Sequence, residues 1–77
     1  MSTLTQHQDV SIVAYHDNII NEYLTGIFNL TDEITYWLES GGSPSAPVAQ
    51  NLMAAIQENR RKIKEQKEII RELNKHV

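Results

Sequence analysis

Residues 37–49, WLESGGSPSAPVA, decide the fold of this chain. They include both prolines and two of the three glycines in a chain of 77 residues. Gly41 suits the left-handed position just beyond the end of a helix. Ser43 or Ser45 suits the cap of a following helix that has one of the prolines in its first turn. The stretch therefore predicts the end of one helix and the start of another.

The segment before this stretch has a seven-residue apolar repeat that predicts a helix over residues 9–40. Ile or Val occupies the first position of each repeat, and Tyr, Leu or Trp follows three places later, except at His16. Such a pattern forms the a and d positions of a packed helix face. The predicted seam residues of the first helix are Val13, Ile20, Tyr23, Ile27, Leu30, Ile34 and Trp37.

The segment after the stretch repeats the same pattern and predicts a second helix over residues 48–76. Asn59 and Gln66 are polar residues in the d position, where they weaken a seam but fix its register. The remaining residues divide into a flexible segment, 1–8, and a turn, 41–47. The predicted seam residues of the second helix are Leu52, Ile56, Ile63, Ile70 and Leu73.

Two long helices joined by a short turn predict an all-α antiparallel hairpin of coiled-coil type, in a single domain. With the turn centred near Pro44, Ile34 is expected to face the region of Ile56. The apolar face of the first helix is wider than one neighbour covers, because Ile and Leu also occupy the e and g positions. We therefore expect a homodimer or a higher oligomer, such as a four-helix bundle. Gly26 within this helix predicts a close approach of the two helices or a mild kink.

Charge is unevenly distributed along the chain, although the net charge is only −3. All seven Lys and Arg residues lie at Arg60 or later, whereas seven acidic residues precede it. A hairpin brings these segments together, so Asp17 is expected near Arg71, and Glu22 near Lys67. Pairs within the second helix are also expected at i,i+4: Glu58–Lys62, Arg61–Glu65 and Lys64–Glu68.

Two surfaces outside the seam are candidate binding sites. Aromatic side chains on the outer face of the first helix, close to an acid, predict a protein-binding surface. A basic stripe on the second helix predicts either anion binding or pairing with acids of the first helix. The partner-binding candidates are Tyr15, Glu22, Phe28 and Tyr36, and the anion-binding candidates are Arg60, Lys64, Lys67 and Arg71.

Several classes of chemistry have no motif in this sequence. The chain has no Cys, which excludes disulfides and thiolate chemistry within it. His16 has Ile at both i+3 and i+4, and His7 and Asp9 are two residues apart and do not share a helix face, so we expect neither a metal nor a cofactor. No nucleophile motif or phosphate loop is present, and we expect no enzyme activity. The absence of a signal-like or membrane-length apolar run favours a cytoplasmic location.

The sequence thus favours a small regulatory or adaptor protein of bacterial or phage type that self-associates and binds a partner protein. One alternative is an oligomer that binds a nucleotide or nucleic acid through the basic stripe. Another is a structural subunit whose hairpins stack beyond a dimer.

Overall fold

The computed structural model describes the backbone of residues 2–75 and the side chains of residues 11–75. Two helices, α1 (Ser2–Glu39) and α2 (Pro47–Lys75), run antiparallel and are joined by residues 40–46. The prediction of an all-α antiparallel hairpin is therefore confirmed. The molecule is a thin rod of 61 × 15 × 11 Å.

Helix α1 is longer than the sequence pattern predicted. It begins at Ser2 and so includes residues 2–8, which the sequence analysis assigned to a flexible segment. No Gly or Pro interrupts this segment, so nothing in its backbone chemistry stops the helix. The helix has 38 residues against 29 in α2 and therefore extends beyond the end of its neighbour.

The end of α1 is a Schellman motif built on Gly41. Gly41 has a φ of +91°, a left-handed conformation in which a Cβ would be strained. The Gly42 amide donates to the Trp37 carbonyl at 2.8 Å, and the Gly41 amide donates to the Leu38 carbonyl at 3.1 Å. These two bonds satisfy carbonyls that the helix end would otherwise leave unpaired. The predicted left-handed glycine is thus present at Gly41.

Trp37 fixes the path of the chain after the helix. Its indole Nε1 donates to the Ser43 carbonyl at 2.9 Å. The indole ring lies so close to Gly42 that a Cβ at this position would overlap it. A glycine is therefore required here for steric reasons, in contrast to Gly41, where backbone conformation requires it.

The start of α2 differs from the prediction of a serine cap. The Ala46 carbonyl accepts the first helical bond, from Gln50, so Ala46 occupies the capping position. Ser43 instead closes the preceding turn, where its Oγ accepts from the Ser45 amide at 3.2 Å. Pro47 is the first helical residue, and it needs no cap for its own nitrogen because it has no N–H.

The core of the hairpin is one narrow seam. Among the side chains of residues 11–75, only Ala49 and Ile63 are buried, with 1% and 9% of their surface exposed. The remaining predicted seam residues are partly buried, because each touches only the facing helix. A seam of this kind holds the two helices against each other but buries only a small part of the surface of each.

Two polar contacts cross the seam. The Asn59 amide nitrogen lies against Gly26 and donates to the Tyr23 carbonyl at 3.4 Å. A Cβ at Gly26 would lie 2.6 Å from that nitrogen, so glycine permits the predicted close approach. His16 Nδ1 lies 2.5 Å from Gln66 Oε1, and it is the donor because an amide oxygen only accepts.

The predicted ion pairs between the helices are absent from the described side chains. Neither Asp17–Arg71 nor Glu22–Lys67 forms, and the ion pairs that the structure describes in residues 11–75 lie within α2. Exposed charges gain little from pairing across a seam, since water solvates them well. Charge pairing within the hairpin therefore does not explain the uneven distribution of charge.

The contact between Gly26 and Asn59 gives a test by a double-mutant cycle. In the native chain, Gly26→Ala should change the free energy of unfolding by less than about 0.5 kcal/mol. The higher helix propensity of Ala stabilises α1, but its Cβ displaces the Asn59 side chain and costs the hydrogen bond that this side chain donates. In an Asn59→Ala background, the same change should stabilise by about 1 kcal/mol. Urea unfolding followed by circular dichroism at one protein concentration measures both. Equal effects in the two backgrounds would show that the residues are not coupled.

Candidate protein-binding surfaces

An open groove of about 360 Å³ lies beside the turn on one side of the seam. Its apolar part comes from both helices, and two carboxylates of α1 stand at its edge. Tyr36 is 74% exposed, although its ring forms part of the groove wall. We call this the acidic groove, and its lining residues are Asp32, Glu33, Tyr36, Trp37, Val48 and Leu52.

A second open groove of about 360 Å³ flanks the other side of the seam. On α1 it is lined by Ile34 and Leu38, which project about 40° apart around the helix. Glu33 and Trp37 project from α1 in the other direction, which places the two grooves on opposite sides. We call this the aliphatic groove, and its lining residues are Ile34, Leu38, Pro44, Met53, Ile56, Gln57 and Arg60.

The predicted basic stripe continues from the aliphatic groove toward the open end of the hairpin. Arg60 lines the groove, and Lys64, Lys67 and Arg71 follow on the same face at helical spacing. All four side chains are exposed, and none forms an ion pair with any side chain of residues 11–75. The stripe is therefore available to a charged partner.

The predicted aromatic surface lies on the outside of α1. Tyr15 is 62% exposed and Phe28 is 69% exposed. Tyr15, Glu22 and Tyr36 are separated by multiples of seven residues and share one line along the helix, whereas Phe28 lies about 100° around it. The Tyr15 ring packs edge-on against His16, with ring centroids 5.3 Å apart. The four candidates thus belong to one broad outer face and not to a single pocket.

Local charge on the rest of α2 is largely neutralised. Arg61 binds Glu58 through two nitrogen–oxygen contacts, of 3.1 and 2.5 Å, and also binds Glu65. The hydrogen bond from Arg61 lowers the pKa of the Glu58 carboxyl, and the same bond raises the pKa of Arg61. Arg61 takes the place that the sequence analysis gave to Lys62, because residues three apart also face each other on a helix.

Three residues of the acidic groove belonged neither to the predicted seam nor to the predicted binding surfaces. Asp32, Glu33 and Val48 were not singled out, since each is unremarkable in its own segment. A helical projection could have placed Glu33 beside Tyr36, which lies three residues further on. A projection of α1 could not have placed Val48 in the groove, because Val48 belongs to α2 and its position beside α1 depends on the path of the turn.

The described residues contain no group of three or more side chains able to hold a metal ion. Within residues 2–75, neither helix has an apolar stretch of the length that a bilayer requires. Comparisons of the chain with protein-family models, curated proteins and solved structures give no match.

Proposed function

We propose that this chain is a non-enzymatic binding protein, of regulatory or adaptor type, that self-associates and docks a partner protein. One observation carries the proposal: nine large apolar side chains of the hairpin are exposed to solvent. Isolated exposed apolar residues are ordinary, but a series of them along a narrow rod is typical of an interface. They are Ile12, Tyr15, Leu24, Phe28, Tyr36, Leu38, Val48, Met53 and Ile69.

The surface area of the chain supports association. The hairpin exposes 5914 Å² for a mass of 8.8 kDa. A compact folded monomer of this mass exposes about 4,800 Å². The excess of about 1,100 Å² exceeds the roughly 800 Å² that each partner buries in a standard interface. One interface along the rod would therefore give the chain the exposure of an ordinary folded domain.

The outer face of α1 is the proposed site for the partner protein. Tyr15 and Phe28 offer large aromatic surfaces, and Glu22 supplies a negative charge beside them. Exposed aromatic residues beside a charge are typical of the centre and rim of protein interfaces. The partner surface that this face fits is apolar with a basic edge.

A second candidate function is the binding of an anionic ligand, such as a nucleotide or nucleic acid, by the basic stripe. The observation that favours it is that Arg60, Lys64, Lys67 and Arg71 form no ion pairs with the described side chains. The net charge of −3 argues against anion binding, because it repels phosphate at long range.

The proposal predicts a native mass above that of one chain. Size-exclusion chromatography with light scattering, at two concentrations and two salt levels, should give a dimer or a larger species, because association removes the exposed apolar surface from water. A folded species of one chain at every condition would contradict self-association. In that case the uncovered apolar surface would remain available to a partner protein alone.

The partner site is tested by a variant with Tyr15→Ala and Glu22→Lys. We expect it to lose at least about 80% of the partner protein that the native chain retains in a pull-down, since aromatic anchors dominate interface energy. A matched control carries Asn51→Ala and Glu68→Lys, at two exposed residues of α2 that lie outside this face, and its Glu→Lys substitution makes the same change of charge. Equal retention by the variant and the native chain would remove this face from the partner site.

The anion-binding candidate is tested with phosphate ligands added directly. If it is correct, a nucleotide or oligonucleotide should raise the melting temperature, and Arg60→Gln with Lys67→Gln should abolish the rise. The effect should also decrease with salt, because the contacts are electrostatic. Unchanged melting across a panel of both ligand classes would exclude this candidate.

A further inference from the structure

The two grooves of the hairpin carry opposite charges, and the charges are also separated along the rod. The acidic groove lies next to the turn, where Asp32 and Glu33 stand at its edge. The basic stripe begins at Arg60 and runs toward the open end along the other side of the seam. No Lys or Arg precedes Arg60, so the α1 side of the turn region carries only negative charge.

A single chain cannot bring these two surfaces together, because the hairpin seam lies between them. No ion pair among the described side chains of residues 11–75 joins the two helices. A second copy placed alongside in the reverse direction does bring them together. Its open end then lies next to the turn of the first copy, and its basic stripe lies next to the acidic groove.

The apolar parts of the surfaces match as well as the charges. The acidic groove offers Trp37, Val48 and Leu52 beneath an exposed Tyr36 ring. The long stems of Lys and Arg cover apolar surface while their charged ends reach carboxylates at its edge. An Arg or Lys head over the Tyr36 ring also gains a cation–π attraction.

We propose that the basic stripe of one copy, Arg60 with Lys64, Lys67 and Arg71, docks into the acidic groove of a second, antiparallel copy. The proposal rests on the self-association proposed above and defines its surfaces. Charge complementarity and the excess exposed area both favour a second copy as the occupant of the groove. The contact is heterologous, because the groove and the stripe lie on opposite sides of the seam and one pair of copies therefore forms only one such contact.

A heterologous contact determines how the assembly grows. After two copies join, one still has a free acidic groove and the other has a free basic stripe. Such interfaces add further copies until a ring closes, or they continue as an open stack. The expected behaviour of the native chain is therefore a mass that rises with concentration beyond two chains. A closed four-helix bundle would stop at two.

The decisive experiment uses two variants, each lacking one surface. The groove variant carries Asp32→Lys and Glu33→Lys, and the stripe variant carries Arg60→Gln, Lys64→Gln and Lys67→Gln. Each alone should self-associate at least about tenfold more weakly than the native chain, because one charged surface has lost its counterpart. Light scattering measures the mass, and circular dichroism checks that helix content is unchanged.

Mixing the two variants restores one good interface. The intact stripe of the groove variant docks into the intact groove of the stripe variant, so the mixture should form one-to-one pairs and stop at two chains. Trp37 is the only tryptophan and lines the groove, so its emission should shift to the blue on mixing. Each variant alone, at the same total concentration, should show no such shift.

A control variant separates the effect of location from that of net charge. Asp17→Lys with Glu39→Lys changes the charge as much as the groove variant does, and both residues are exposed on α1, outside the acidic groove and the stripe and in no described ion pair. This control should retain at least half of the native association constant. If it loses association as fully as the groove variant, net charge alone accounts for the loss and the proposed contact is wrong.

The remaining outcomes are also decisive. If both variants associate as the native chain does, the copies meet through other surfaces, and self-association stands without this contact. If each variant is monomeric and the mixture is too, the heterologous pairing is wrong. A native chain that is monomeric throughout would contradict this contact and the proposed self-association together. A basic peptide bound in the groove of a monomeric native chain would identify a partner protein as the occupant instead.

Discussion

The reversal of the chain at Gly41 is the constraint on which the rest of this structure depends. A helix as long as α1 would continue through an ordinary residue, since propagation adds a hydrogen bond for each residue fixed. The left-handed backbone at Gly41 and the two amides bonded to Trp37 and Leu38 end it. The Trp37 indole then holds the Ser43 carbonyl and directs the chain back along α1.

The consequence of this reversal is a rod with a single internal interface. Two helices share only one seam, so the side chains that flank it are at most partly covered. One groove lies on each side of this seam. Because the sequence repeats every seven residues, similar residue types recur along each side of the rod. Exposed apolar surface and separated charge are thus results of the thinness of the hairpin. They are the features from which we infer a function in binding.

The polar residues of the seam fit this interpretation. His16 with Gln66, and Asn59 with Gly26, are contacts that a maximally stable seam would replace with aliphatic residues. Polar residues at such positions restrict the register and pairing of helices at some cost in stability. In this hairpin they fix how α2 lies against α1, and therefore where the basic stripe lies relative to the acidic groove.

The sequence by itself determined that two amphipathic helices form and where the turn falls, because helical periodicity and Gly and Pro chemistry act locally. It could not determine that Ala46, and not a serine, occupies the capping position, since the turn hydrogen bonds of Ser43 compete for that role. It also predicted ion pairs between the helices that the structure does not contain in residues 11–75. The α2 side of the acidic groove was decided by the tertiary structure alone. Val48 and Leu52 reach Glu33 and Tyr36 only because the turn sets the register of the helices, and no local pattern encodes that distance.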